Sequence, residues 1–274
     1  GMAGGVGAIF RAPLAGALFA GEILYREGDI ESDVVVPAAI SSIVSYSVYS
    51  LFMPADAAFL PLFGNGLQYQ MSSLAELLPM ALMSIVLVLA AVIYIRTFYG
   101  LHKLSRKITI VPNFVKPAIG AVLAGLVGVG LHLACDKGDS HAMLAVLSTG
   151  YGSLQTALED PAKLGIGALL LIAGGKVLTT SLTISTGGSG GVFGPSMVIG
   201  GCVGAALGLW FQDLFGIQTE PGAFAIIGMA GFFAGAAHAP ISTIIMVSEM
   251  TGDYKLLLPT MWVSTLCFLL CRRW

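Results

Sequence analysis

Charge is what this 274-residue sequence has least of. Lysine, arginine, aspartate and glutamate together make up 10% of it, against about 25% in an ordinary soluble domain. With 56% hydrophobic residues and a mean hydropathy of +0.89, that scarcity excludes a water-soluble globule and leaves a chain built for lipid. The net charge of −2 offers nothing to nucleic acid. Cysteine and histidine number four each. Cys267 and Cys271 stand one helical turn apart without partner histidines, and Cys135 and Cys202 are isolated. All four are read as small buried hydrophobes, so neither disulfide, metal nor other cofactor is expected. No apolar stretch carries a carboxylate at its centre, which disfavours a cation path. No basic region precedes the first apolar segment, so no signal peptide is read. The opening "GMAGGVGAIFRAPLAG" reads as the middle of something longer.

What the sequence does have is apolar stretches, at about 1–21, 34–53, 73–95, 117–135, 164–184, 193–217, 222–248 and 256–271. A membrane span needs about 20 such residues. Pro13 and Pro240 fall inside two of them, where proline bends or breaks a helix. The expectation is one all-α, multi-pass membrane domain over 1–274, mixing full spans with broken half-spans. Segment 96–116 holds Arg96, Lys103, Arg106, Lys107 and Lys116 and no acid, which places it on the cytoplasmic side.

Residues 1–24 and 228–251 match at a fixed offset of 227. Gly1/Gly228, Met2/Met229, Ala3/Ala230, Gly4/Gly231, Ala12/Ala239, Pro13/Pro240 and Glu22/Glu249 are identical pairs. Repeated halves with broken helices are a transporter signature, with the binding site between the halves. The division expected is 1–135 as the remainder of a first repeat with its connecting spans, and 136–274 as a second repeat. Glu22 and Glu249 end their apolar stretches at a shared position, which favours a structural role for both.

The second half contains "STGGSGGVFGPSMVIGG" (185–201), with seven glycines. Irregular backbone at membrane depth is tolerated only where protein buries it or where it lines a watery cavity. A helix is expected to start near Phe193, with Pro195 in its first turn, where a missing N–H costs nothing. The first amides of a helix have no internal partner and sit at its positive end. Gly191, Val192, Phe193 and Gly194 are therefore the candidate anion-binding residues, through backbone N–H groups, and Ser189 and Pro195 the candidate pore-lining ones. The nearest preceding cation is Lys176. Dipoles without a full charge suit weak, transient binding. Two alternatives stand beside this: the glycines serve close helix packing, and the Phe193 ring is a core or lipid-facing side chain rather than a pore guard.

"GSGGVFGPSMVIGG" resembles the G-x-F-x-P anion-binding motif of the CLC family of chloride channels and chloride/proton antiporters, with Gly191, Phe193 and Pro195 at the fixed positions. "AGFFAGAAHAPISTIIMVSEMTGDYKLLLP" (230–259), "FRAPLAGALFAGEIL" (10–24) and "GYGSLQTAL" (150–158) are similar to other segments of that family. The resemblance implies an inverted-repeat bundle with broken and re-entrant helices, a homodimer with one pore per subunit, and chloride held by the Val192 and Phe193 amides. Protons become a second cargo if the protein is an antiporter. It also implies elements not found in 1–274: the first-half motif with the gating glutamate, an earlier serine-bearing motif and a last helix with a pore-lining tyrosine. Family antiporters often carry an inner glutamate at the position of Ile23. Its absence tilts the expectation toward passive conduction, with exchange as the alternative. The phenylalanine motif favours chloride over fluoride. The expected location is the inner membrane of a prokaryote.

Gly187-Gly188-Ser189-Gly190-Gly191 also satisfies G-x-S-x-G, so an intramembrane serine protease is a remote alternative. That motif needs a histidine partner and a strand–turn–helix context. His238 pairs with Arg11 in the repeat, which reads as structural. A receptor or a carrier of another solute is a further class. The chain is read as a transporter and not as an enzyme.

Overall fold

The computed structural model describes residues 1–24, 32–54, 57–63, 69–71, 73–108, 111–134 and 144–272. Cys135, His141 and most of the charged segment 22–33 lie outside them. Eleven α-helices are described: α1 (Met2–Ile9), α2 (Pro13–Leu24), α3 (Ser32–Leu51), α4 (Leu77–Lys107), α5 (Lys116–Ala134), α6 (Tyr151–Glu159), α7 (Gly165–Ser185), α8 (Phe193–Phe215), α9 (Pro221–Ala237), α10 (Pro240–Thr251) and α11 (Leu257–Cys271). Among the described residues there is no strand. Among the described residues, five helical segments are long and apolar enough to cross a membrane: Asp33–Leu51, Leu74–Lys107, Lys116–Leu133, Gly165–Ser185 and Phe193–Phe215. The protein is an all-α, multi-pass membrane protein.

One difference from the sequence reading has a physical cause, and two expected breaks are found. Segment 96–116 is not simply a loop, because α4 continues to Lys107. At 1.5 Å per residue its 31 residues reach about 46 Å, longer than the hydrocarbon core, so its basic end stands in the headgroup region or beyond it. The stretches 1–21 and 222–248 each split in two. The break falls just before Pro13 in one and just before Pro240 in the other, and each proline then opens a new helix, where its missing N–H is harmless.

The two breaks have the same form. Arg11 (φ 53°) and His238 (φ 57°) both adopt the left-handed conformation, and they occupy equivalent positions at the offset of 227. Neither is a glycine, so the conformation carries a steric cost that the surroundings must offset. The Gly16 and Thr243 amides then donate to Ala12 and Ala239 carbonyls, again equivalent pairs. Arg11 Nη1 anchors its break by donating to the Ala57 carbonyl at 3.1 Å and the Leu60 carbonyl at 3.2 Å.

Glu22 and Glu249 account for each other. The Glu249 carboxylate accepts from the Leu14 amide at 3.1 Å and the Ala15 amide at 2.8 Å, at the start of α2. The Glu22 carboxylate accepts from the Ile241 amide at 3.1 Å and the Ser242 amide at 2.7 Å, at the start of α10, and also from the Ser242 hydroxyl. Each helix's C-terminal acid caps the other's N-terminus, so α2 and α10 run antiparallel about an approximate two-fold axis. An acid at a helix N-terminus satisfies orphan amides and opposes the dipole. Glu22→Ala and Glu249→Ala are each expected to destabilise the protein by about 1–2 kcal/mol, seen as a lower Tm in detergent, with the glutamine variants falling between.

Helix α9 forms the centre. Its residues from Gly222 to Gly235 are all buried, and it packs against α8, α11, α4 and α10. Gly200, Gly204 and Gly208 of α8 face Gly228 and Phe224 of α9 so closely that an added Cβ at Gly204 would run into the Phe224 carbonyl. Small residues at such spacing let two backbones touch in the absence of a hydrophobic drive. This close pair holds the start of α8 against the rest of the bundle.

Candidate functional site

Helix α7 ends where its polar last turn meets the glycines. The Thr186 hydroxyl donates to the Leu182 carbonyl at 2.9 Å. The Gly187 and Gly188 amides donate back to Ile184 and Thr183 carbonyls at 3.0 and 2.9 Å. Gly187 has φ 99°, a conformation that favours glycine. The chain then crosses Ser189, Gly190 and Gly191, all exposed, and enters α8 at Phe193 with Val192 as its N-cap. No side chain among the described residues caps this end. The first bond of the new helix runs from the Ser196 amide to the Val192 carbonyl at 3.1 Å.

The amides of Gly191, Val192, Phe193 and Gly194 therefore make no hydrogen bond to protein among the described residues. Val192 is 39% exposed, and Phe193 and Gly194 are half-buried. Between Lys176 and Asp213 the chain carries no charged side chain. Lys176 itself is buried, and its ammonium donates to the carbonyls of Ala145, Val146 and Ser148. The backbone dipoles of α8 put positive potential at its N-terminus. Unpaired amides with that field form an arrangement that can bind a small anion.

Phe193 is held by its neighbours. Its ring lies 4.6 Å from that of Phe19, 4.8 Å from Phe233 and 5.7 Å from Phe10. Phe10 and Phe19 come from the α1–α2 segment and Phe233 from α9, so the ring ties the start of α8 to both repeat-like segments. The ring thus sits in an aromatic cluster, while its amide makes no hydrogen bond to protein among the described residues. The Tyr151 hydroxyl of α6 stands 3.2 Å from where a Gly194 Cβ would sit, so any side chain at this position would crowd it. A cavity of about 160 Å³ borders the site, lined by Tyr94, Phe98, Val192, Ser196 and Phe233 among others. Pro195 is half-buried in the first turn of α8, with its absent N–H at an orphan position.

Sequence reasoning did not single out Phe10, Phe19, Phe233, Tyr94, Tyr151 or Ser196. Only Ser196 carried a usable signal, four residues after Val192 and so within hydroxyl reach of its carbonyl. Ser189 makes no hydrogen bond to a histidine among the described residues. Ile23 is 39% exposed, in a crevice of about 740 Å³ shared with Glu22, His238, Phe268 and Arg272. Cys202, Cys267 and Cys271 are buried free thiols.

The model of the voltage gated chloride channel family matches residues 1–272. The H(+)/Cl(−) exchange transporter ClcA of Vibrio parahaemolyticus is 31% identical over 269 residues, covering 94% of this chain and 52% of that protein. The voltage-gated ClC-type chloride channel ClcB of Shigella flexneri is 31% identical over 264 residues, covering 94% of this chain and 57% of that one. The chain thus spans about half the length of these curated relatives. A slow cyanobacterial Cl−/H+ antiporter has the same fold with a TM-score of 0.77 at 19% identity, over 98% of this chain and 59% of its own. A CLC-type fluoride/proton antiporter gives 0.78 at 19% identity, over 100% and 62%. With a family match across nearly its whole length and the G-x-F-x-P turn opening an uncapped helix, the chain belongs to the CLC family of voltage-gated chloride channels and transporters.

Proposed function

We propose that this chain carries part of the anion site of a chloride transporter, with the Val192 and Phe193 amides as its ligands here, and that the intact protein exchanges chloride for protons. The observation that carries the anion reading is the run of unbonded amides at the start of α8. Chloride at such a site is held by dipoles alone, weakly enough to leave again. Gly191 and Gly194 leave the approach clear, and Ser189 and Pro195 flank it. Exchange is favoured by relatives named as H(+)/Cl(−) exchange transporters. Passive conduction is the second reading, favoured by the apolar Ile23 and by the relative named as a channel. The halves are 1–135 and 136–274. The bacterial relatives support an inner-membrane location, and a second copy of the chain is the proposed partner, giving a homodimer in the bilayer.

The test is flux from lipid vesicles holding the full-length protein. A chloride gradient is expected to drive chloride out and to move protons against their own gradient. Chloride flux with no proton movement replaces exchange by conduction. Absence of any anion flux overturns the proposal.

A further inference from the structure

Helix α8 begins with a peptide unit that is held from one side only. The Val192 carbonyl accepts twice, from the Ser196 amide at 3.1 Å and from the Ser196 hydroxyl at 2.7 Å. The N–H of that same Val192–Phe193 peptide, on Phe193, points the other way and is unbonded among the described residues. Ser196 is 1% exposed. Beside it lies Tyr94 of α4, 5% exposed, whose buried hydroxyl completes no hydrogen bond of its own. Both side chains border the cavity that Val192 also lines.

We propose that Ser196, backed by Tyr94, is a positioning residue for anion binding, fixing the plane of the Val192–Phe193 peptide and strengthening the Phe193 amide as a donor. This rests on the anion-site reading of that amide. A peptide is a conjugated unit, so a hydrogen bond accepted at its oxygen draws electron density from its nitrogen and makes the N–H more acidic. Chains of hydrogen bonds polarise one another by about 10–30% per bond in a low-dielectric interior. The hydroxyl inventory fits. Ser196 spends its one donor on the Val192 carbonyl and keeps lone pairs to accept, and Tyr94 has a donor to give. A small shift of the Tyr94 side chain toward Ser196 completes a chain from Tyr94 to Ser196 to Val192.

Back-bonding of this kind is common in membrane helices, and this chain has other instances, such as Ser248 to the Ile244 carbonyl at 3.0 Å. What sets Ser196 apart is its target. The Ile244 carbonyl belongs to a peptide in mid-helix, whereas the Val192 carbonyl belongs to the first peptide, whose N–H has no helical acceptor. Ser248 is thus the matched control.

The experiment is calorimetric titration of the full-length protein with chloride. Ser196→Ala is expected to weaken binding about two- to fivefold. Ser196→Cys, of nearly the same volume but with a weak donor, should fall with it, and Ser196→Thr, which keeps the hydroxyl, should recover it. Ser248→Ala should bind as the parent does. Tyr94→Phe should weaken binding by less than Ser196→Ala, and should change nothing further in the alanine background. Parent-like binding by both Ser196→Ala and Ser196→Cys overturns the inference, as does an equal loss in Ser248→Ala. A Tyr94→Phe effect independent of Ser196 removes Tyr94 from it. A parent protein that binds no chloride removes the anion-site reading itself, and this inference with it.

Discussion

An ester in place of the Val192–Phe193 peptide bond is expected to weaken chloride binding by about tenfold to a hundredfold, with the protein still folded. The replacement removes one N–H and leaves every side chain in place. The Phe193 ring keeps its contacts with Phe10, Phe19 and Phe233, so packing at the start of α8 is preserved. No protein acceptor loses a partner, because this amide has none among the described residues. Hydrogen bonds to a charged group contribute about 1.5–3 kcal/mol each, which sets the range. An ester carbonyl also accepts more weakly, so its bonds from Ser196 loosen. The loss on Ser196→Ala measures that share, and the remainder belongs to the N–H. The same ester one turn into α8, where the amide is paired within the helix, should lower Tm and leave chloride affinity unchanged. Calorimetric titration and thermal unfolding in detergent, run side by side, check both. Parent-like affinity with the Phe193 ester would remove the amide from the site.

Gly204→Leu is expected to abolish folded protein, and Gly204→Ala to cost about 1–3 kcal/mol. A Cβ at Gly204 meets backbone rather than a flexible side chain. Its nearest neighbours are the Phe224 carbonyl and, at 3.0 Å, the Gly228 Cα. Relief requires α8 and α9 to move apart along their contact, since Gly200 and Gly208 also leave no room for a Cβ. Helix pairs in lipid depend on close van der Waals packing, so the cost is not returned elsewhere. It also reaches the site, because Phe193 leans on Phe233 of α9. Gly204→Ala should therefore weaken chloride binding as well as lower Tm, although it touches no ligand. Gly125→Ala and Gly130→Ala in α5, where nothing lies within 4 Å, should leave chloride binding unchanged and Tm the same or slightly higher. Monodispersity on size exclusion, Tm and titration together read the outcome.

Much of the chain was legible before any coordinates. Low charge and long apolar runs implied helices in a membrane, because backbone polar groups in hydrocarbon must be satisfied within their own segment. Pro13 and Pro240 marked the breaks, because proline lacks a donor and is tolerated best at a helix start. The glycine-rich turn and Phe193 marked the start of α8 for the same local reasons. The shared position of Glu22 and Glu249 suggested a structural role, and each was found capping the other's helix. These features are local, or follow from a register that sequence alone carries.

Other features required the fold. Nothing in the sequence says that α4 runs on through its basic residues to Lys107, because lysine and arginine are good helix formers and charge marks only where lipid ends. Nothing in it places Phe10, Phe19 and Phe233 around Phe193, or Tyr94 behind Ser196, because those residues come from helices far apart in the chain. Nor does a glycine's identity reveal whether it turns the backbone, as Gly187 does, or admits a neighbouring helix, as Gly204 does. The sequence by itself determined which segments are helical, where they break, and which amides are left without a helical acceptor, since these depend on near neighbours along the chain. Only the tertiary structure decided what each freed amide, hydroxyl and ring meets, since packing brings together groups that no spacing relates.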